Sequence, residues 1–145
     1  MNYKNEILID LPVSKTVELF DNPDNLKHWM PGLLSFEHLS GTPGQTGAKS
    51  KLKFNMNGRE VEMIETITLR NLPQEFSGTY EAKGVFNIVK NHFIQKGESQ
   101  CLYVSETEFR FSGFMKIIGF LMPGAFKKTS QQYLEKFKAF AESQK

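Results

Sequence analysis

The 145-residue sequence holds one cysteine, one tryptophan and six prolines. Each scarcity removes a class of architecture. A lone Cys101 forms neither an intramolecular disulfide nor a multi-cysteine zinc site, so a stapled secreted scaffold is excluded and a reducing compartment, the cytoplasm, is expected. An excess of one charge sign is missing too. Eighteen Lys and Arg stand against sixteen Asp and Glu, a net +2, and the lysines are mostly interspersed with carboxylates, so no nucleic-acid partner is expected. Long apolar runs are absent. The longest, Ile117 to Phe126, is too short to span a bilayer and contains Pro123-Gly124. Glu6 precedes any long apolar core, so no signal peptide is read at the amino terminus. Internal repeats and low-complexity tracts are lacking, which sets solenoids aside. What is left is a single domain over residues 1–145, long enough to bury roughly 68–70% of its unfolded surface without metal or disulfide.

What is present is alternation. Tyr3 to Leu11 puts Ile7, Ile9 and Leu11 on one face and Lys4, Glu6 and Asp10 mainly on the other, a first strand ended by Pro12. Ser14 is placed to cap a short helix carrying Val17, Leu19 and Phe20, and Asn22-Pro23 to open a second that stops at Pro31-Gly32. The period then becomes two. Leu34, Phe36 and His38 share a face, and after the turn Gly41 to Gly47 the set Ser50, Leu52, Phe54 and Met56 alternates with lysines. Asn57-Gly58 predicts a type I′ hairpin into Val61, Met63, Glu65, Ile67 and Leu69 on one face. Further strands are expected over Glu75 to Ala82, Val85 to Gln95 and Cys101 to Phe111. In the last, the odd positions face inward, because the even set would bury Glu106, Glu108 and Arg110. In Val85 to Gln95 both parities carry apolar residues, and the inner face is left open.

The chain then turns helical. Phe126, Ser130, Tyr133, Leu134, Phe137, Phe140 and Ala141 recur at three- and four-residue spacing. Upstream, Phe114 to Met122 is apolar almost without a break, so it is either buried beneath the sheet, with Pro123-Gly124 as a kink, or exposed for function. The order β-α-α-β-β-β-β-β-β-α describes an α+β chain with its strands in an antiparallel sheet. Leu11 to Phe20, Pro23 through Trp29-Met30-Pro31-Gly32, and the closing Phe137-Lys138-Ala139-Phe140-Ala141-Glu142 resemble the START-related, or SRPBCC, superfamily over nearly the whole chain. That superfamily includes birch pollen allergen-like, polyketide cyclase-like and lipid-transfer proteins. The resemblance implies a helix-grip fold, a curved seven-stranded sheet wrapped around the long C-terminal helix. It also implies a deep apolar cavity between the two, its mouth framed by the two short helices that follow the first strand and by nearby loops.

Candidate ligand-binding residues follow from that picture: Trp29 at the mouth, Leu52, Phe54, Met56, Met63, Glu65, Ile67, Tyr80, Tyr103, Phe109, Phe126 and Tyr133 lining the space, and Phe120 and Met122 controlling access. Each apolar one also has a plain reading as core filler. Met56, Met63, Met115 and Met122 add adaptable side chains. Glu65 is the sharpest, a carboxylate centred on an apolar face. Facing a cavity it would be desolvated and become an acid, base or ligand partner; otherwise a tyrosine, lysine or water satisfies it, or a bulge turns it outward.

Other chemistries find little footing. His28, His38 and His92 have no ligand spacing, so no metal is expected, and no cofactor is called for. Cys101 lies within a strand without an activating base, and Gly41, Gly44 and Gly47 are not followed by a helix as a phosphate loop would be. Three function classes result. The leading one is binding or carriage of a small apolar molecule or lipid. The second is a polyketide cyclase/dehydratase-like enzyme in which Glu65 and Tyr80 or Tyr103 handle protons. The third uses Phe114 to Met122, with Lys116, Lys127 and Lys128, as a surface for a partner or for transient membrane contact.

Overall fold

In the computed structural model, which describes residues 1–145, alternation carries the chain through β1 (Asn2–Ile9). Extended Pro12 then stands at the head of α1 (Val13–Phe20). Ser14 therefore lies inside the helix and caps nothing; the Thr16 hydroxyl, one turn on, donates to the Pro12 carbonyl at 3.0 Å. The Asn22 side chain accepts from the Asp24 amide at 3.0 Å, opening a 3₁₀ turn (Pro23–Asn25) that leads into α2 (Leu26–Trp29). Six strands follow: β2 (Leu33–Ser40), β3 (Lys49–Met56), β4 (Arg59–Asn71), β5 (Glu75–Ala82), β6 (Val85–Lys96) and β7 (Gln100–Phe111). The chain ends in α3 (Met115–Leu121) and α4 (Pro123–Glu142).

The seven strands form one antiparallel sheet in the order β1-β7-β6-β5-β4-β3-β2. Asn57 and Gly58 both take positive φ (56° and 84°), the conformation a type I′ turn demands, and register Met56 opposite Arg59. The turn after Lys96 pairs that residue with Gln100, so odd residues of β6 face odd residues of β7. The inward set of β6 is thereby Val85, Asn87, Val89, Asn91 and Phe93. Two bulges redirect side chains. One, between Leu33 and Ser35, leaves Leu34 exposed; the other, between Ile67 and Leu69, takes Leu69 off the face that carries Ile67.

The main core sits at the β1–β7 side of the sheet. Phe20 stacks on Trp29 at 5.6 Å and meets Phe93, Tyr103 and Phe137 edge-on at 5.0 to 5.8 Å. Ile9, Leu11, Leu19, Leu26, Cys101, Leu134 and Ala141 complete it. Arg70 forks onto the Asp21 carboxylate with both contacts at 2.5 Å, tying the end of α1 to β4.

Pro123 is the first residue of α4 rather than a kink within one helix. Its missing N–H costs nothing there. The apolar run Phe114 to Met122 thus becomes a separate short helix, and burial beneath the sheet is ruled out. Phe114, Ile117, Phe120, Leu121 and Met122 are 54% to 84% exposed. α3 is seated by Gly119, where a Cβ would stand 2.5 Å from the Phe111 ring. No helix is long and apolar enough to cross a membrane.

Phe137 is fully buried at the meeting point of α4, α1, α2 and β7. Phe137→Ala is expected to cost about 3–5 kcal/mol in chemical denaturation. A loss below about 1 kcal/mol would mean that the aromatic cluster is not the centre of stability.

Candidate functional site

The site begins with how α4 is seated. Tyr3 on β1 hydrogen-bonds Ser130 Oγ at 2.6 Å and donates to the Phe126 carbonyl at 3.1 Å. Asn5 donates to Gln131 Oε1 at 2.8 Å, and Lys138 Nζ donates to the Leu8 carbonyl at 2.7 Å. The helix is thereby fastened along the edge strand β1, with α1 and α2 against its far half, and makes no comparable contact with β3, β4, β5 or β6. The inward side chains of those strands are not all fully covered. Val61, Met63, Glu65, Phe76, Tyr80, Ala82, Val85, Asn87 and Val89 all keep part of their surface accessible. Leu52, Phe54 and Ile67 are buried, yet stand apart from the main core cluster. These partly accessible side chains mark the space between α4 and the centre of the sheet as the candidate recess. Two other depressions, of about 400 and 270 Å³, open elsewhere, along the β1–β7–β6 surface at Lys4, Ile88 and Glu106 and beside Phe86 and Ser112. Both are shallow and wide open, and neither is the recess.

Its floor is not uniformly apolar. Direct cross-strand neighbours share a face, and the register sets His38, Ser50, Glu65, Tyr80 and Asn87 side by side across β2 to β6. Glu65 points inward. Burial raises its pKa above the ordinary 4.5, and a hydrogen bond from the Tyr80 hydroxyl pulls the other way. Burial also lifts Tyr80 well above the usual phenol value, and the Glu65 charge beside it adds to the rise. Tyr80 is therefore a neutral donor. Asn87 Oδ1 is buried without a partner, as is Trp29 Nε1. Asn91 is satisfied, accepting from the Tyr103 hydroxyl at 2.9 Å and donating to the Phe76 carbonyl at 3.2 Å.

The residues expected to bind ligand separate into four groups. Met63, Glu65 and Tyr80 lie on the recess floor and Tyr133 projects from α4 near Tyr80. Leu52, Phe54 and Ile67 are buried beside them on the same face. Trp29 and Tyr103 are packed into the aromatic core, and Phe109 and Phe126 meet at a tilt, ring centres 5.0 Å apart, near the β1 edge. Met56, at the hairpin tip, Phe120, on α3, and Met122, just after it, are exposed. Alternation within one strand misses Ser50 as the neighbour of Glu65 and Asn87 as that of Tyr80; the hairpin registers would find them.

The remaining candidates lie apart. His28 stacks on Phe140 at 5.0 Å, His38 Nε2 bonds the Gly41 carbonyl at 2.7 Å, and His92 sits on the outer face between Glu75 and Glu106. The Cys101 thiol is buried and donates to Thr16 Oγ1 at 3.2 Å; burial pushes its pKa up, away from nucleophilic chemistry.

Compared with known proteins, the chain matches the family model described as "Polyketide cyclase / dehydrase and lipid transport" over residues 2–142. Among solved structures it is similar to a START superfamily protein from Mycobacterium smegmatis, with a TM-score of 0.84 at 8% identity, covering 99% of each chain. It is similar to Ara h 8.0201, with a TM-score of 0.74 at 15% identity over 99% of this chain and 98% of that one. Norcoclaurine synthase from Thalictrum flavum, solved with dopamine and hydroxybenzaldehyde, gives a TM-score of 0.70 at 19% identity over 100% and 88%. These likenesses establish the helix-grip fold. No curated protein matches the chain.

Because its pKa is raised on folding, Glu65 costs stability as it ionises: stability falls as pH rises from the ordinary value of 4.5 through the higher folded value. Glu65→Gln keeps an acceptor for Tyr80 and removes the charge. It is expected to be more stable than the parent at neutral pH, with the advantage vanishing below pH 4.5. Melting curves across that range check this. A variant less stable at neutral pH would mean that the carboxylate is compensated more fully than Tyr80 alone allows.

Proposed function

From the membership of this chain in the polyketide cyclase/dehydrase and lipid transport family, we propose that it binds and carries a small hydrophobic molecule or lipid in the recess between α4 and the sheet. One observation carries this reading. Inward-facing residues on the middle strands keep accessible surface, because α4 is held at β1 instead of lying across them. A domain of this size has every incentive to close such a gap, since packed interiors leave few voids larger than a water. Lined by Val61, Met63, Val85 and Val89, the recess suits an apolar occupant. The Glu65–Tyr80 pair supports a second reading, proton handling on a bound cyclic substrate as in a polyketide cyclase-like enzyme, with Glu65 the acid or base.

The exposed face of α3 supports a loading route. Phe120 is 84% exposed beside Leu121 and Met122. Lys116, Lys127 and Lys128 are the only charged side chains from Ser112 to Leu134. Apolar side chains ringed by cations match an anionic bilayer surface, at which an apolar ligand enters or leaves.

Mass spectrometry of organic extracts of the native protein is expected to find an apolar molecule in stoichiometric amount, and an environment-sensitive apolar dye to compete with it. A protein that yields no molecule and takes up no dye would remove the carrier reading, while turnover of the extracted molecule would favour the enzyme. Phe120→Ser should lower sedimentation with anionic vesicles severalfold while changing stability by no more than about 0.5 kcal/mol, since the side chain is exposed. Undiminished sedimentation would remove the membrane route.

A further inference from the structure

The recess has a charge balance that selects among ligands, an inference that rests on reading it as a ligand cavity. Glu65 is the single carboxylate on the inward face: Glu60 and Glu62 on β4, Glu75 and Glu81 on β5, and Glu106 and Glu108 on β7 all have the opposite parity. No cation answers it. Lys49, Lys51 and Lys53 on β3 and Lys90 on β6 lie on the outer face. Arg59 shares the inward parity but is exposed at the hairpin tip, six residues from Glu65 along β4, roughly 20 Å at strand rise. Arg70 is engaged by Asp21, and the His38 ring is turned to the Gly41 carbonyl.

The polar groups beside Glu65 are neutral: Ser50 on β3 and Tyr80 on β5 are its cross-strand partners, and Tyr103 on β7 and Tyr133 on α4 stand near Tyr80. The Tyr103 hydroxyl donates its hydrogen bond to Asn91, so Tyr80 is the hydroxyl beside the carboxylate. Asn87, directly across from Tyr80, holds a buried carbonyl oxygen without a donor. A carboxylate without a cation sits in the middle of a largely apolar surface.

We infer that the ligand is an amphiphile with an apolar body and a hydrogen-bond-donating head, a primary ammonium above all and a hydroxyl next, and that free carboxylates are excluded. An ammonium supplies three donors and the missing charge, answering Glu65 in a poorly hydrated site. A hydroxyl supplies one donor and no charge. A carboxylate brings a second anion beside Glu65 and adds acceptors where acceptors already lack partners, a cost that low dielectric magnifies. The pH dependence has a definite sign. Ammonium binding strengthens as Glu65 ionises, that is, as pH rises through its folded pKa, and carboxylate binding weakens over the same range.

Isothermal titration of the full chain with dodecylamine, dodecanol and dodecanoate, each below its micellar concentration, tests this. The amine is expected to bind on the order of tenfold tighter than the alcohol, and the carboxylate weakest at neutral pH. Glu65→Gln should erase the preference for amine over alcohol and admit dodecanoate. Dodecanoate binding as tightly as dodecylamine, or an amine preference that survives in Glu65→Gln, would overturn the inference while leaving the cavity reading intact. Uptake of none of the three by folded protein would remove both. The pH series on the parent chain decides the matter independently of the variant: amine affinity that does not rise with pH across the Glu65 titration overturns the assignment.

Discussion

The attachment of α4 to β1 is the interaction on which the rest of the molecule depends. Tyr3, Asn5 and the Leu8 carbonyl hold the helix through Ser130, Gln131 and Lys138, contacts more than 120 residues apart in sequence. Polar anchors of this kind have directions and lengths, whereas apolar contact alone would let the helix slide toward the centre of the sheet and bury more surface. Their position at the edge strand keeps α4 off the middle of the sheet. The aromatic cluster of Phe20, Trp29, Phe93, Tyr103 and Phe137 then fills only the end where α1 and α2 close over it. Stability is concentrated at one side of the domain and accessible interior surface at the other.

The polar row on the recess floor follows from the same arrangement. Glu65 beside Tyr80 would be a costly pair inside a packed core, where a carboxylate with one donor is poorly compensated. On the proposed reading the cost is smaller and becomes a source of selectivity, because an occupant of the recess meets the carboxylate directly. The outer face shows the contrast. His92 stands between Glu75 and Glu106, and Lys49, Lys51 and Lys53 alternate outward along β3, so charge there is met by water and by opposite charge. The chain places its charged residues where they are easily solvated, with one inward exception.

Much of the fold was legible because its signals are local. Alternation in β1, β3 and β7 reported the inward faces correctly, Asn57-Gly58 announced its hairpin, and the stripe from Phe126 to Ala141 marked the buried side of α4. The START-related resemblance agreed with these patterns over the whole chain, and the family match bears it out. Glu65 was recognisable as an inward carboxylate because its neighbours on the same parity are apolar. Its companions were harder to see. Ser50 and Asn87 belong to other strands and carry no signal of their own. Leu69 and Leu34 were misread because a bulge adds one residue and reverses every side chain beyond it.

Sequence alone determined the number and order of the strands, the parity of those with one clearly polar face, and the amphipathic face of the long helix. These depend on the backbone periods of two and 3.6, which any stretch of chain expresses without reference to the remainder. Tertiary structure decided the inward face of β6, which the Lys96–Gln100 turn sets through its register with β7. It also decided the exposure of α3, whose apolar residues outnumber the contacts that Gly119 and Phe111 offer, and the separation of α3 from α4 at Pro123. Above all it decided that Ser50, Glu65, Tyr80 and Asn87 meet on one floor. That meeting depends on four strands being registered at once, and register is a property of turns, bulges and helix seating together, none of which a single strand's pattern contains.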